Sequence, residues 1–187
     1  TIGVAGTIGG TGFTGFGNTS ASGTTADFSD VLCFDAGSVV MTLSNSQTPS
    51  GTLTNADMRF KVVGVSSTGS LNPATDWTNL PTLNTEDVIN NYALLNGAVS
   101  HNSSDAQTIT ITLTPYIDNN DDNLLDGGDC TNDNLVIVLT VEPKPTIGVA
   151  GTIGGTGFTG FGNTSASGTT ADFSDVLCFD AGSVVMT

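Results

Sequence analysis

The chain of 187 residues carries 18 acidic side chains against three basic ones, for a net charge of −15. Arg59, Lys61 and Lys144 are its only lysines or arginines, so it lacks the clustered positive charge that binding to nucleic-acid phosphates requires. Apolar residues make up 37% of the chain, too many for a disordered tail. No apolar run approaches the ~20 residues of a membrane helix, so no membrane insertion is expected in this segment.

Gly, Thr, Ser and Asn are abundant, as in short strands joined by many turns. Thr1 to Thr42 recurs letter for letter at Thr146 to Thr187, so only about 145 residues are independent information. That is the size of one all-β sandwich, followed by the start of its next copy. A filament or stalk gains length with every copy, whereas a catalytic domain seldom gains from being copied end to end.

The opening stretch, 1–28, is rich in Gly and Thr. Ile2, Val4 and Ile8 fall at strand spacing and lead into the loop-like stretch containing Phe13 and Phe16. This stretch is read as an inter-repeat segment whose β-branched and aromatic side chains pack between neighbouring copies, the alternative being a flexible linker.

Strands follow at 31–34 and 37–45, where Val39, Met41 and Leu43 alternate with Ser38, Thr42 and Ser44. In 58–65, Met58, Phe60 and Val62 share one face, and Lys61 lies among apolar neighbours. Its stem is expected to pack on the sheet while its amine reaches water. A long connection then holds Trp77, the only tryptophan.

Residues 83–97 predict a helix. Asn84 or Thr85 would cap it, Glu86 and Asp87 suit its positive end, Val88, Tyr92 and Leu95 follow helical spacing, and Gly97 would stop it. The Thr/Ile alternation of 106–117 predicts a strand with one wet face, and Leu135 to Val138 a central strand apolar on both faces. Pro143 and Pro145 end that strand and mark the joint with the next copy, which occupies 146–187.

Cys178 is the second copy of Cys33, so each repeat holds two cysteines and no CxxC pair. This favours an extracellular disulfide over zinc, with Cys33 and Cys130 as the natural partners. Closing a loop of about 100 residues would contribute at most ~4.7 kcal/mol on the chain-entropy argument. A Cys130–Cys178 bridge between successive repeats is the open alternative.

The segments DVLCFDAGSVVMTLS, QTITITLTPYID and NLVIVLTVEPKPTI, with Cys130 between the last two, resemble the PKD-like, immunoglobulin-like repeats of giant secreted surface proteins of gliding Gram-negative bacteria. The resemblance covers about residues 29–45 and 106–147. It implies an immunoglobulin-like β-sandwich over 29–145, with the helix as an addition, arranged in tandem repeats and exported to the cell surface without enzymatic activity. The Gly-rich lead, the helix and the acidic loop before Cys130 depart from that pattern.

DNNDDNLLDGGD, residues 118–129, is the strongest chemical motif. Asp118, Asn120, Asp122, Leu124, Asp126 and Asp129 occupy the positions 1, 3, 5, 7, 9 and 12 that supply oxygens to calcium in a twelve-residue loop. Asn123 stands where such loops carry Gly, and Asp129 is shorter than the usual Glu. The competing reading is a solvated acidic turn.

The run His101, Ser103, Ser104, Asp105 contains the residue types of a hydrolase triad but is contiguous, whereas a triad converges from separate elements. No catalytic residue is expected. The sequence thus predicts a structural repeat of an extracellular filament, stalk or adhesin, whose partners are neighbouring identical repeats and a surface or glycan target. The alternative is a carbohydrate- or surface-binding module that uses the Trp77 loop and the acidic cluster.

Overall fold

In a computed structural model of the chain, the described residues are 2–8, 11–12, 26–33, 35–45, 47, 50–68, 77, 80–101, 103–143, 151–153, 156–157 and 184–186. The chain divides into two units, Thr1–Lys144 and Pro145–Thr187. The described residues are mostly β-strand.

In the first unit the strands are β1 (Ile2–Ile8), β2 (Thr11–Gly12), β3 (Phe28–Leu32), β4 (Asp35–Asn45), β5 (Met58–Ser67), β6 (Glu86–Val88), β7 (Ala93–Ser100), β8 (Gln107–Ile117), β9 (Cys130–Thr131) and β10 (Leu135–Val141). One sheet runs β2-β1-β4-β7 and the other β3-β10-β8-β5-β6, with β9 paired to the end of β8. The described helical structure is a single 3-10 turn, Asn55–Asp57. The Thr54 side chain and Asp57 cap it reciprocally.

Two-residue alternation decides what each strand buries. Val39, Met41 and Leu43 of β4 are fully buried, as are Phe60 and Val62 of β5, and Ile109, Ile111 and Leu113 of β8, while the threonines between the β8 residues stay half-buried. Both sheets contribute to a single apolar cluster, which also takes in Leu94, Leu95, Leu135, Ile137 and Leu139. The central place of β10, between β8 and β3, explains its continuous apolar run. β3 runs parallel to β10, and every other pairing of this sheet is antiparallel.

Irregularities fall where pairing changes. A register shift between Val62 and Gly64 sets Val63 outward at 38% exposure. A second shift, at Met41/Thr42 against β7, lets the consecutive residues Leu94 and Leu95 both be buried. Pro115 lies inside β8, where its carbonyl accepts from Asn132 N. Its missing N–H therefore faces the break between β9 and β10, and costs no ladder bond.

The helix expected over 83–97 is not formed. Glu86–Val88 is β6, paired with β5, and Ala93–Ser100 is β7, paired with β4. Asn84 and Asn91 adopt left-handed φ of 67° and 64°, which break the chain into turns on either side of β6. Ile89, Leu94 and Leu95 are fully buried in the core and Tyr92 packs against it beside Phe60, whereas Val88 of the helical set is only half-buried. Pairing with β5 and β4 outweighs a weak helical propensity in a segment containing Asn90 and Asn91.

Residues 1–28, read as an inter-repeat segment, contribute β1 to a sheet of the first unit: Ile2 pairs with Asn45, Val4 with Leu43 and Ile8 with Val39. Phe13, Phe16 and Pro145 lie outside the described residues. In the second unit, β11 (Gly151–Ile153) pairs with β12 (Thr156–Gly157) and β13 (Val184–Met186). Thr152 pairs with Gly157 and Val185, as Thr7 pairs with Gly12 and Val40, so identical residues form the same ladder in both units.

The strand directions give the first unit two distinct ends. β1 begins beside Asn45, and β8 finishes at Ile117, at one end. At the other, β10 finishes at Val141 opposite Gln107. The eleven residues of β8 span about 34 Å between these ends at ~3.4 Å per residue.

Candidate functional site

The acidic segment 118–129 forms the loop from β8 to β9 at the end of the unit where β1 begins. Its anchor is Glu86 of β6, which the sequence assigned to a helix terminus. Glu86 Oε1 lies 2.7 Å from Lys61 Nζ. Its Oε2 accepts from Tyr116 OH at 2.9 Å and from Leu125 N at 2.7 Å. One carboxylate thus ties β5, β6, β8 and the loop together, and the Lys61 amine ends on this carboxylate at the edge of the sheet.

Burial acts to raise the Glu86 pKa, but the hydrogen bonds from Lys61, Leu125 N and Tyr116, with the Lys61 charge, outweigh it and hold the carboxyl below its ordinary value. Burial pushes Tyr116 up to about 12; the Arg59 hydrogen bond opposes this and the neighbouring Glu86 adds to it. Arg59 Nε donates to the Tyr116 hydroxyl at 3.3 Å, and that hydroxyl also lies 3.4 Å from Asn123 O.

Within the loop, carboxylates accept backbone N–H groups. Asp118 Oδ2 takes Asn123 N at 2.8 Å, Asp122 Oδ1 takes Leu124 N at 2.8 Å, and Asp129 takes Asn119 N at 3.1 Å and Asp126 N at 3.0 Å. Asn123, at the position where calcium loops carry Gly, has the left-handed φ of 66° that this position demands. The Asn120 amide nitrogen lies 3.0 Å from Asp122 Oδ2 and 3.5 Å from Asp126 Oδ2. Asp118 is 2% exposed, and its Oδ1 is buried without a hydrogen-bond partner among the described residues. Asn120, Asp122, Leu124 and Asp126 are exposed. Among the described residues, no three Asp, Glu, His or Cys side chains are gathered closely enough to hold a metal ion by themselves.

The expected disulfide is not formed: Cys33 and Cys130 are exposed free thiols. Cys33 follows Leu32, which pairs with Val141 at one end of the unit, while Cys130 pairs with Ile117 at the other. A disulfide requires Cα atoms within about 7 Å, and these lie most of the length of β8 apart. Cys130 Sγ instead accepts from Asn119 Nδ2. Cys178 lies outside the described residues, and with it the alternative bridge.

His101 is buried, with Nε2 placed 3.1 Å from the carbonyl oxygens of both Val141 and Glu142, while Nδ1 accepts from Ser103 N. Ser103 Oγ accepts from Asp105 N and Gln107 Nε2, not from the imidazole, so these residues pin the end of β10 just before Pro143 and build no nucleophile–base pair. Trp77 is 2% exposed and belongs to the core, so its ring is not a surface on which a sugar can stack. The large apolar side chains exposed among the described residues, Val31, Val63, Leu83 and Leu124, are all aliphatic.

No known family, characterised protein or solved structure matches the chain.

Proposed function

We propose that this chain is a structural repeat of an extracellular filament, stalk or adhesin, built from immunoglobulin-like β-sandwiches joined end to end. The observation that carries the reading is the position of the unit's two ends. β1 begins beside Asn45, and β10 finishes about 34 Å away along the strands. A unit entered at one end and left at the other adds its full length with each copy, and the start of the next copy follows directly after the Pro143–Pro145 joint.

The sheet orders support the immunoglobulin-like assignment. β1-β4-β7 corresponds to strands A, B and E, β10-β8-β5 to G, F and C, and β6 to an added C′. Cohesion within each repeat comes from the two-sheet core and the Glu86 anchor, without an internal Cys33–Cys130 bridge. The partners are identical neighbouring repeats and, at the tip of the assembly, a surface or glycan target. The role is mechanical and needs no catalysis.

Electron microscopy of a protein carrying several complete repeat units tests this. The expected image is a thin fibre with an axial period of a few nanometres, lengthening in proportion to the number of units. A compact particle whose length does not grow with added units overturns the reading.

A further inference from the structure

We infer that the 118–129 loop is a calcium site, closed around Asp118. Acidic side chains crowded in a loop say little alone, since Asp also favours turns for its bonds to nearby backbone N–H groups. The decisive observation is Asp118, a carboxylate at 2% exposure whose buried Oδ1 accepts no hydrogen bond among the described residues, while its Oδ2 holds Asn123 N across the loop. A buried polar oxygen left without a partner costs free energy. The bond from Asn123 N holds this carboxylate against the loop backbone, and in this proposal a cation bound by the loop is the partner that the buried Oδ1 requires.

A second feature shows how the remaining oxygens reach the ion. The Asn120 amide nitrogen lies 3.0 Å from Asp122 Oδ2 and 3.5 Å from Asp126 Oδ2, so a weak donor stands between two carboxylates. Turning that amide over gives up the 3.4 Å bond from Asp122 N to Asn120 Oδ1 and presents Oδ1 to the ion instead, so that the two carboxylates face a full positive charge. Asp129 is already oriented by Asn119 N and Asp126 N, one on each oxygen, and each oxygen has a second lone pair to offer. Among the described residues three carboxylates do not converge, so the proposed site requires the loop to close on the ion as it binds.

An all-oxygen set mixing carboxylate, amide and the Leu124 carbonyl suits calcium, which accepts irregular coordination by six to eight oxygens. Magnesium demands a compact octahedron and keeps its water. The net charge of −15 raises the local cation concentration but does not choose a position. The buried Asp118 does.

The full chain is titrated with calcium chloride after removal of divalent ions by a chelator. Binding is followed by thermal unfolding and by luminescence of terbium(III), a calcium mimic excited through Tyr116, whose hydroxyl lies 3.4 Å from Asn123 O. For a Kd of ~10⁻⁴ to 10⁻³ M, about 5 mM calcium raises the folded-to-unfolded ratio roughly 6- to 50-fold. Calcium displaces the terbium.

Asp122→Ala, at an exposed position that leaves the fold intact, abolishes both signals, as does Asp118→Asn; Asp105→Asn, an acidic residue outside the loop, preserves them. No response to calcium, an equal response to magnesium, or a response retained in Asp122→Ala each overturns the site. The outcome is independent of the fibre reading, since an isolated unit that binds calcium keeps the site whether or not fibres form.

Discussion

Replacing Glu86 with alanine removes the acceptor shared by Lys61 Nζ, Tyr116 OH and Leu125 N at 2.7, 2.9 and 2.7 Å. Hydrogen bonds to a charged group contribute about 1.5–3 kcal/mol each, but they do not add fully. Lys61, with a quarter of its side chain exposed, recovers water readily. Tyr116 OH keeps only the 3.4 Å contact with Asn123 O, and Leu125 N loses its partner. The net loss is therefore about 2–4 kcal/mol, a large share of the ~5–15 kcal/mol that holds an ordinary domain together. Urea unfolding followed by the fluorescence of buried Trp77 measures it.

The same carboxyl fixes the sign of a pH effect. Its folded-state pKa lies below the ordinary 4.5, so its contribution is fully present above that value and is lost as pH falls through the folded value. The stability gap between wild type and Glu86→Gln should accordingly be constant above about pH 5 and shrink below 4.5. A Glu86→Ala protein within about 0.5 kcal/mol of wild type, the range of an ordinary surface substitution, would refute the anchor. So would a gap that does not change as the pH is lowered from about 5 to about 3.

Core and surface should separate cleanly. Ile111→Ala costs about 2–5 kcal/mol by cavity formation, whereas Val31→Ala at 59% exposure costs no more than about 0.5 kcal/mol in the same urea assay. Cys33 and Cys130 should both alkylate in the native protein without reductant, and mass mapping of a non-reducing digest should find no peptide joining them; detection of that peptide would contradict the strand order. An absorbance titration at alkaline pH should find Tyr116 ionising toward about 12. Because that value lies above the ordinary 10.0, the stability it contributes is intact below pH 10 and declines as pH rises through about 12. His101→Ala should cost about 1–3 kcal/mol through loss of the bond to the Val141 and Glu142 carbonyls, measured by the same unfolding.

The acidic loop was legible by spacing, and the left-handed Asn123 matches the turn its position requires. The loop's anchor was not, because Glu86 and Leu125 are far apart in the sequence and meet only through the pairing of β6 with β5 and of β5 with β8. The one available signal was Lys61, a cation in an apolar strand that needs an anionic partner. Trp77 carried no pattern at all: a lone aromatic in a polar connection reads equally well as an exposed platform or as a plug in the core.

Alternating side chains by themselves determined β4, β5 and β8 and which of their faces is buried, since a two-residue period is local and admits one inward set, and the continuous apolar run of β10 marked a strand buried on both faces. Duplication likewise dictated a repeated ladder, because the same residues meet the same partners a short distance along the chain. Tertiary structure alone decided that 83–97 pairs as two strands instead of coiling, that the cysteines sit at opposite ends, and that Glu86 holds the acidic loop. Each of these depends on strand order and direction, which bring together residues far apart in the chain and outweigh weak local preferences.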